Sequence, residues 1–305
     1  MSTLENCTLC PRMCHVNRRI QPGFCGAGAA LKVARATLHF WEEPCVSGTN
    51  GSGTVFFSHC NLRCAFCQNS KISDGGFGAE ITTQRLGDIF LELQAQGAHN
   101  INLVTPTPWQ PYIIEALNSV RGGLHIPVAY NCGGYETIAG IKALKNYVDI
   151  FIPDLKYYSD DLAIKYSAAT NYFCTALAAI KQMTTQTGAP VFDGNGILQK
   201  GVIIRHLVLP GQSKDSLRLL QALKEEIDPQ TICLSLMSQY TPAHKALQMP
   251  PINRRISTYE YNKVVDFALT LGFEQGFYQD RSSAKEEYTP PFNLEGVCYP
   301  SAKTP

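Results

Sequence analysis

The stretch "GSGTVFFSHCNLRCAFCQN" (51–69) decides the fold. A short apolar run, "TVFF" (54–57), passes directly into a polar loop carrying Cys60, Cys64 and Cys67. A strand that ends in such a loop is the unit from which β/α folds build their sites, because their chemistry gathers at the C-terminal ends of strands. The ligand set is unusual. A thiolate centre generally takes four protein ligands, and no fourth cysteine stands close by.

Working outward, five further apolar runs read as strands: "INLVT" (101–105), "PVAYN" (127–131), "DIFIPD" (149–154), "VIIRHLVL" (202–209) and "TICLSLM" (231–237). Helical patterns lie between them. After Thr82 and Thr83, the residues Leu86, Ile89, Phe90 and Leu93 recur at helical spacing up to Gly97. Similar stretches cover 110–119, 135–146, 160–187, 213–226 and 257–271. Six strands each followed by helical sequence predict parallel β/α units with right-handed crossovers. The fold class is therefore α/β, a partial (β/α)6 barrel over 51–275. Residues 1–50, cysteine-rich and short of regular periodicity, are expected to form a small metal-binding lobe, and 276–305 an extended C-terminal tail.

Of 305 residues, 45% are hydrophobic and 17% charged, with a formal net charge of +1. Such a chain buries a substantial core. It lacks the basic stripe of a nucleic-acid binder. No N-terminal segment resembles a secretory leader, and no apolar run approaches the ~18 residues of a membrane span. The expected location is cytoplasmic, with no membrane or nucleic-acid partner. In that reducing setting the 12 cysteines, eight of them within the first 67 residues, read as metal ligands or catalytic groups rather than disulfides.

Three thiolates on one loop can ligate three irons of a cubane [4Fe–4S] cluster and leave the fourth iron open to an exogenous ligand. Asn61, Arg63, Gln68 and Asn69 are placed to donate hydrogen bonds to the sulfurs. The competing reading is a structural zinc site completed by a distant ligand or by His59, although zinc favours two-residue cysteine spacings and a closed shell.

"CNLRCAFC" resembles the CxxxCxxC signature of the radical S-adenosylmethionine (SAM) superfamily, with the aromatic Phe66 before the last cysteine. The longer stretch looks like the uncharacterised branch related to the activating enzymes of pyruvate formate-lyase. The six-unit layout over about 50–275 is similar to the superfamily's partial barrel. The resemblance implies an enzyme whose [4Fe–4S] cluster binds SAM at its open iron and cleaves it to methionine and a 5′-deoxyadenosyl radical. It also implies an electron donor such as flavodoxin or ferredoxin, and a substrate that loses hydrogen, by analogy a protein glycine of a glycyl-radical enzyme. The alternative class is a non-catalytic iron–sulfur or zinc protein for electron transfer or partner binding, which would have no small-molecule pocket.

Relatives hold the SAM amino group with a Gly-Gly-Glu segment after the second strand. Here "VTPTPW" (104–109) stands in that place, and Thr105 and Thr107 offer hydroxyls and carbonyls, or else simply form a Pro-rich turn. "DLK" (154–156) looks like the Asp-Leu-Lys of the activating enzymes. Asp154 and Lys156, two apart, share one face, for the cofactor or for each other. Asn131 ends the third strand. Arg205 follows three apolar residues, so its charge needs a partner, for which the cofactor carboxylate is suitable. His206 points to the opposite face, as a site residue or a satisfied core histidine. Cys132 is either a hydrogen donor or a small buried residue. Gln239 and Tyr240 end the sixth strand.

Cys7, Cys10, Cys14 and Cys25 form a second group, separated by two, three and ten residues. Four thiolates on a segment without an evident core suggest a closed metal site that supplies folding energy. Zinc and a second [4Fe–4S] cluster both fit. Cys45 can join either group or neither, and Cys174, Cys233 and Cys298 have no partners in sequence.

Overall fold

The structure, a computed structural model, describes residues 4–279 and 290–299. All six expected strands are present: β2 (Ser52–Phe57), β4 (Ile101–Val104), β5 (Val128–Cys132), β6 (Ile150–Pro153), β8 (Leu198–Leu207) and β9 (Cys233–Met237). They are hydrogen-bonded in that order, every pair parallel. A short seventh parallel strand, β10 (Gly276–Tyr278), adds to β9. On the other side β1 (Lys32–His39) runs antiparallel to β2, and β3 (Ala79–Glu80) caps β1. The two-residue β7 (Val191–Phe192) pairs with β8. The sheet order runs from β10 to β3 without the ends meeting, so the barrel is open.

Two sequence expectations change. Residues 32–39, inside the stretch assigned to a separate lobe, belong to the main sheet. Their alternation is broken by a register shift between Val33 and Arg35, which hides the period of two. The single helical stretch expected over 160–187 is two helices. Ala168 takes a left-handed φ of +50° that ends the first, and Asn171, at +51°, precedes the second.

The helices are α1 (Pro44–Ser47), α2 (Ser70–Ser73), α3 (Thr83–Ala95), α4 (Gln110–Ser119), α5 (Ile138–Ala143), α6 (Asp160–Ser167), α7 (Tyr172–Thr187), α8 (Ser213–Glu226) and α9 (Thr258–Thr270). Thr82, Thr137 and Ser257 cap α3, α5 and α9 with their hydroxyls, the last in a full capping box with Glu260.

Strand alternation divides the core. Tyr130, Phe151, Val202, Ile204 and Leu234 belong to the main core with the helices. Their neighbours Ala129, Ile150, Ile152, Ile203 and Cys233 gather in a second cluster with Cys45 and Val46 of α1. The β1–β2 connection thus inserts α1 among these strand residues. Cys45 and Cys233 are buried packing residues here.

Residues 290–299 pack against the edge of β1. Leu294 donates to the carbonyl of Ala34, and Ala36 donates to that of Glu295. Arg85 of α3, itself buried, donates to the carbonyls of Gly296, Val297 and Cys298. At Gly296 (φ +74°) a Cβ would lie 1.8 Å from the Ala36 carbonyl oxygen. Gly296→Ala should therefore detach this segment, at a cost of at least ~1–2 kcal/mol. Hydrogen exchange at Ala36 should speed up while β5 stays protected; unchanged exchange at Ala36 would contradict the docking.

Candidate functional site

The loop after β2 is held from several sides. The Trp109 indole N–H donates to the Ser58 carbonyl (2.7 Å), and the Ser58 hydroxyl donates to that of Phe77 (2.7 Å). Further along, Arg63 and Ala65 donate their N–H groups to the carbonyls of Ser167 and Tyr166. Phe66 packs edge-on against Tyr240 and Tyr157. So anchored, Cys60, Cys64 and Cys67 face one cavity of about 660 Å³.

Each sulfur has a hydrogen-bond partner. Leu62 N–H donates to Cys60 Sγ (3.4 Å), Ser167 Oγ donates to Cys64 Sγ (3.0 Å), and Ser73 Oγ lies 3.2 Å from Cys67 Sγ. Of the side chains expected from sequence, Asn61 meets a sulfur, its Oδ1 accepting from Cys60 Sγ (3.9 Å) rather than its amide donating to it. The Asn61 amide donates to the Tyr135 carbonyl, and Arg63 to that of Phe24, while Gln68 and Asn69 line the cavity. Nothing in the residue type of Ser167 marks it, since α6 brings it in from a distant part of the chain, whereas Ser73 stands at the end of α2, six residues after Cys67. Burial, then Cys64, pushes the Cys60 thiol well above its ordinary range and the Cys67 thiol up to about 11. A bare site therefore keeps these two neutral, and a cationic centre would convert them to thiolates.

Among the described residues no three His, Cys, Asp or Glu side chains gather tightly enough to hold a single metal ion.

The same cavity is lined by Thr105, Asn131, Asp154, Lys156 and Arg205, from successive parallel strands or just beyond them. Thr105 holds a left-handed φ of +60°, costly for a β-branched residue by roughly 1–3 kcal/mol, while its N–H donates to the Asn131 carbonyl (2.9 Å). Asp154 and Lys156 bind each other (2.5 Å) and both face the cavity. Burial works against the Lys156 charge, but Asp154, then Cys64, outweighs it and holds the ammonium above its usual range. The strand-end loop passes close beneath. At Gly134 (φ +77°) a Cβ would stand 2.1 Å from the Asp154 carbonyl oxygen.

Thr107 is elsewhere. It is buried outside the cavity lining, and its hydroxyl donates to Glu136 (2.5 Å). Burial pushes the Glu136 carboxyl up to about 8, against the hydrogen bond from Thr107. Between the ordinary carboxyl range and that value the folded chain keeps a proton the unfolded chain has lost, so stability falls as pH rises. Relative to the parent, Glu136→Gln should lose up to about 4 kcal/mol less stability between about pH 5 and about pH 8. Parallel pH profiles in chemical denaturation would refute this.

Arg205 has its partner within the chain. Its guanidinium binds the carboxylates of Glu42 and Glu43, which stand just before α1, with Nε–Oε1 of Glu43 at 2.8 Å. Asn102 donates to Glu42 (2.9 Å). Glu43 is held below the usual carboxyl range: burial opposes the charge, and Arg205 overrides it. These acids were missed from the sequence, although "WEEP" (41–44), two adjacent acids before a proline, carried a signal. His206 faces outward, bonded to the Leu155 carbonyl and Ser216, and is a core histidine. Cys132, Gln239 and Tyr240 line the cavity. Cys7, Cys10, Cys14 and Cys25 lie together in a lobe beside the three-cysteine loop.

The sequence model described as "Radical SAM superfamily" matches residues 54–223. The "Uncharacterized protein MJ0674" of Methanocaldococcus jannaschii is 30% identical over 275 residues, covering 87% of this chain and 74% of that protein. Among solved structures, the FeFe-hydrogenase maturase HydG of Carboxydothermus hydrogenoformans aligns with a TM-score of 0.49 and 15% identity over 70% of this chain and 49% of that one. Streptococcus suis SuiB bound to its precursor peptide SuiA aligns at 0.48 and 12%, over 72% and 46%. The chain thus spans about half the length of these two structures.

Proposed function

Because the chain belongs to the radical SAM superfamily, whose members work with a [4Fe–4S] cluster and SAM, we propose that Cys60, Cys64 and Cys67 hold that cluster and that SAM occupies the cavity beside it. The observation that carries this reading is that three thiols and the polar ends of successive parallel strands share one cavity. The donor set suits the cluster: three soft ligands, two of them too deeply buried to ionise unaided, each supported by a hydrogen bond. When bound, the cluster supplies the electron that splits SAM into methionine and a 5′-deoxyadenosyl radical.

The chain's own residues bind and orient. Asp154 accepts from amino or hydroxyl donors, and Lys156, held charged, pairs with a carboxylate. Thr105 and Asn131 present polar groups between them and the sulfurs. Arg205, already paired, contributes by holding Glu42 and Glu43 in the wall rather than by grasping the cofactor itself. Phe40 and Trp41 line the same cavity and are each about half exposed.

Within this chemistry the substrate loses hydrogen to the radical, and a glycine of a partner protein is the form implied by the resemblance to the activating enzymes. A flavodoxin- or ferredoxin-like donor would supply electrons, and the thiol-rich composition suits the reducing cytoplasm. No helix among the described residues is long and apolar enough to cross a membrane. The test is anaerobic loading with iron and sulfide, reduction by dithionite with SAM, and assay of 5′-deoxyadenosine with and without cell extract. Release of deoxyadenosine supports the reading; a fully loaded protein that releases none in either condition overturns it.

A further inference from the structure

Residues 4–31 carry no helix or strand, and apart from Cys7 and Cys10 their only buried apolar residues are Ala27 and Leu31. A segment with so little core needs another source of order. Its backbone folds around the cysteines. Cys7 N–H donates to the Val16 carbonyl, His15 N–H to that of Cys7, and Met13 N–H to that of Cys10. The space above Gly23 is bordered by two sulfurs, with a Cβ there lying 3.5 Å from Cys14 Sγ and 3.7 Å from Cys25 Sγ. Cys7 and Cys14 in turn lie within electrostatic reach of Cys25, and Cys14 and Cys25 within reach of Cys10. The four thiols thus form one group.

The two groups meet across one arginine. Arg12, two residues after Cys10, donates to the carbonyls of Asn61 (2.9 Å), Ser167 (3.3 Å) and Ala168, so it grips the residue that follows Cys60. Its guanidinium lies 3.9 Å from the centre of the Phe24 ring, and that of Arg63 lies 4.7 Å from the same ring. Arg63 also donates to the Phe24 carbonyl (2.7 Å), one residue before Cys25. Arg12 is within electrostatic reach of Cys10, Cys14 and Cys60 together.

We propose that Cys7, Cys10, Cys14 and Cys25 hold a second iron–sulfur cluster, and that Arg12 is a positioning residue shared by both centres. Four thiolates give a closed ligand set, so this cluster has no open iron and stores an electron without binding SAM. The guanidinium stabilises added negative charge on either centre, and so raises both reduction potentials. The lobe's cluster stands independently of the reading above; the coupling through Arg12 rests on it.

The test uses the full chain with Cys60, Cys64 and Cys67 all changed to Ala, loaded anaerobically with iron and sulfide. About four irons and four sulfides per chain, with visible absorbance bleached by dithionite, are expected. One zinc without sulfide overturns the proposal, as does a folded variant that binds no metal. Should the triple variant fail to fold, the Cys10→Ala, Cys25→Ala double variant decides: iron should fall from about eight to about four per chain, and unchanged iron overturns the site. For the coupling, Arg12→Gln should load normally while redox titration shows both midpoint potentials lowered. Normal loading with unmoved potentials overturns the shared role, and lost loading without a shift in the iron that remains reduces Arg12 to a structural contact.

Discussion

The Cys64→Ala protein is expected to fold like its parent and to release no 5′-deoxyadenosine. Cys64 Sγ accepts the Ser167 hydroxyl, which lies 2.7 Å from that of Tyr157, so the sulfur ends a side-chain chain running in from the loop after β6 and from α6. On the proposed assignment, removing it leaves two of the three thiolates that hold the cluster. The loss should exceed the ~10–100-fold cost of removing a supporting partner. Ser167→Ala, which spares the ligand, should fall within that smaller range. Chromatographic assay of deoxyadenosine, beside thermal melts of both variants, separates the two effects. Cleavage at the parental rate in Cys64→Ala would end the assignment of the loop.

The largest effect on stability should come from Arg205. Its side chain is 12% exposed and those of Glu42 and Glu43 are 9% and 6%, so this is a buried cluster and not a surface pair. Arg205→Leu strands two carboxylates in the wall, and breaking buried pairs in this way costs roughly 3–5 kcal/mol near neutral pH. Without the guanidinium, burial pushes the Glu43 carboxyl above its ordinary range. The defect is then greatest at high pH and relieved as pH falls through the raised value. Changing all three residues together, to Gln, Gln and Met, should recover most of the loss. Denaturant midpoints near neutral and mildly acidic pH would show it. An equal deficit at both would mean that lost packing, and not stranded charge, is responsible.

The parallel strands and the position of the thiols were legible because both are local. Apolar runs of four to eight residues and a cysteine spacing each announce themselves within a single stretch of chain. Asp154 and Lys156 were legible for the same reason, since two residues apart on an extended chain share a face. What escaped was set by distant partners. The carboxylates that satisfy Arg205 lie more than 160 residues away, and so the sequence pointed to a cofactor instead. Thr107 carries the same side chain as Thr105, but a turn of 3-10 helix directs it to Glu136. β1 was hidden by its irregular register with β2, and β10 by its three-residue length.

The pairing of residues 294–295 with β1 has a consequence for the order in which the molecule is completed. The outer edge of β1 near Ala34 and Ala36 has its hydrogen-bonding partners in residues translated far later. At ~5–20 residues per second, that edge waits on the order of 10–50 s after its own synthesis. A nascent chain therefore carries an open strand edge through most of its translation, the kind of surface that invites pairing with a neighbour. Crowded polysomes, rather than the finished protein, would be where this sequence is most prone to aggregate.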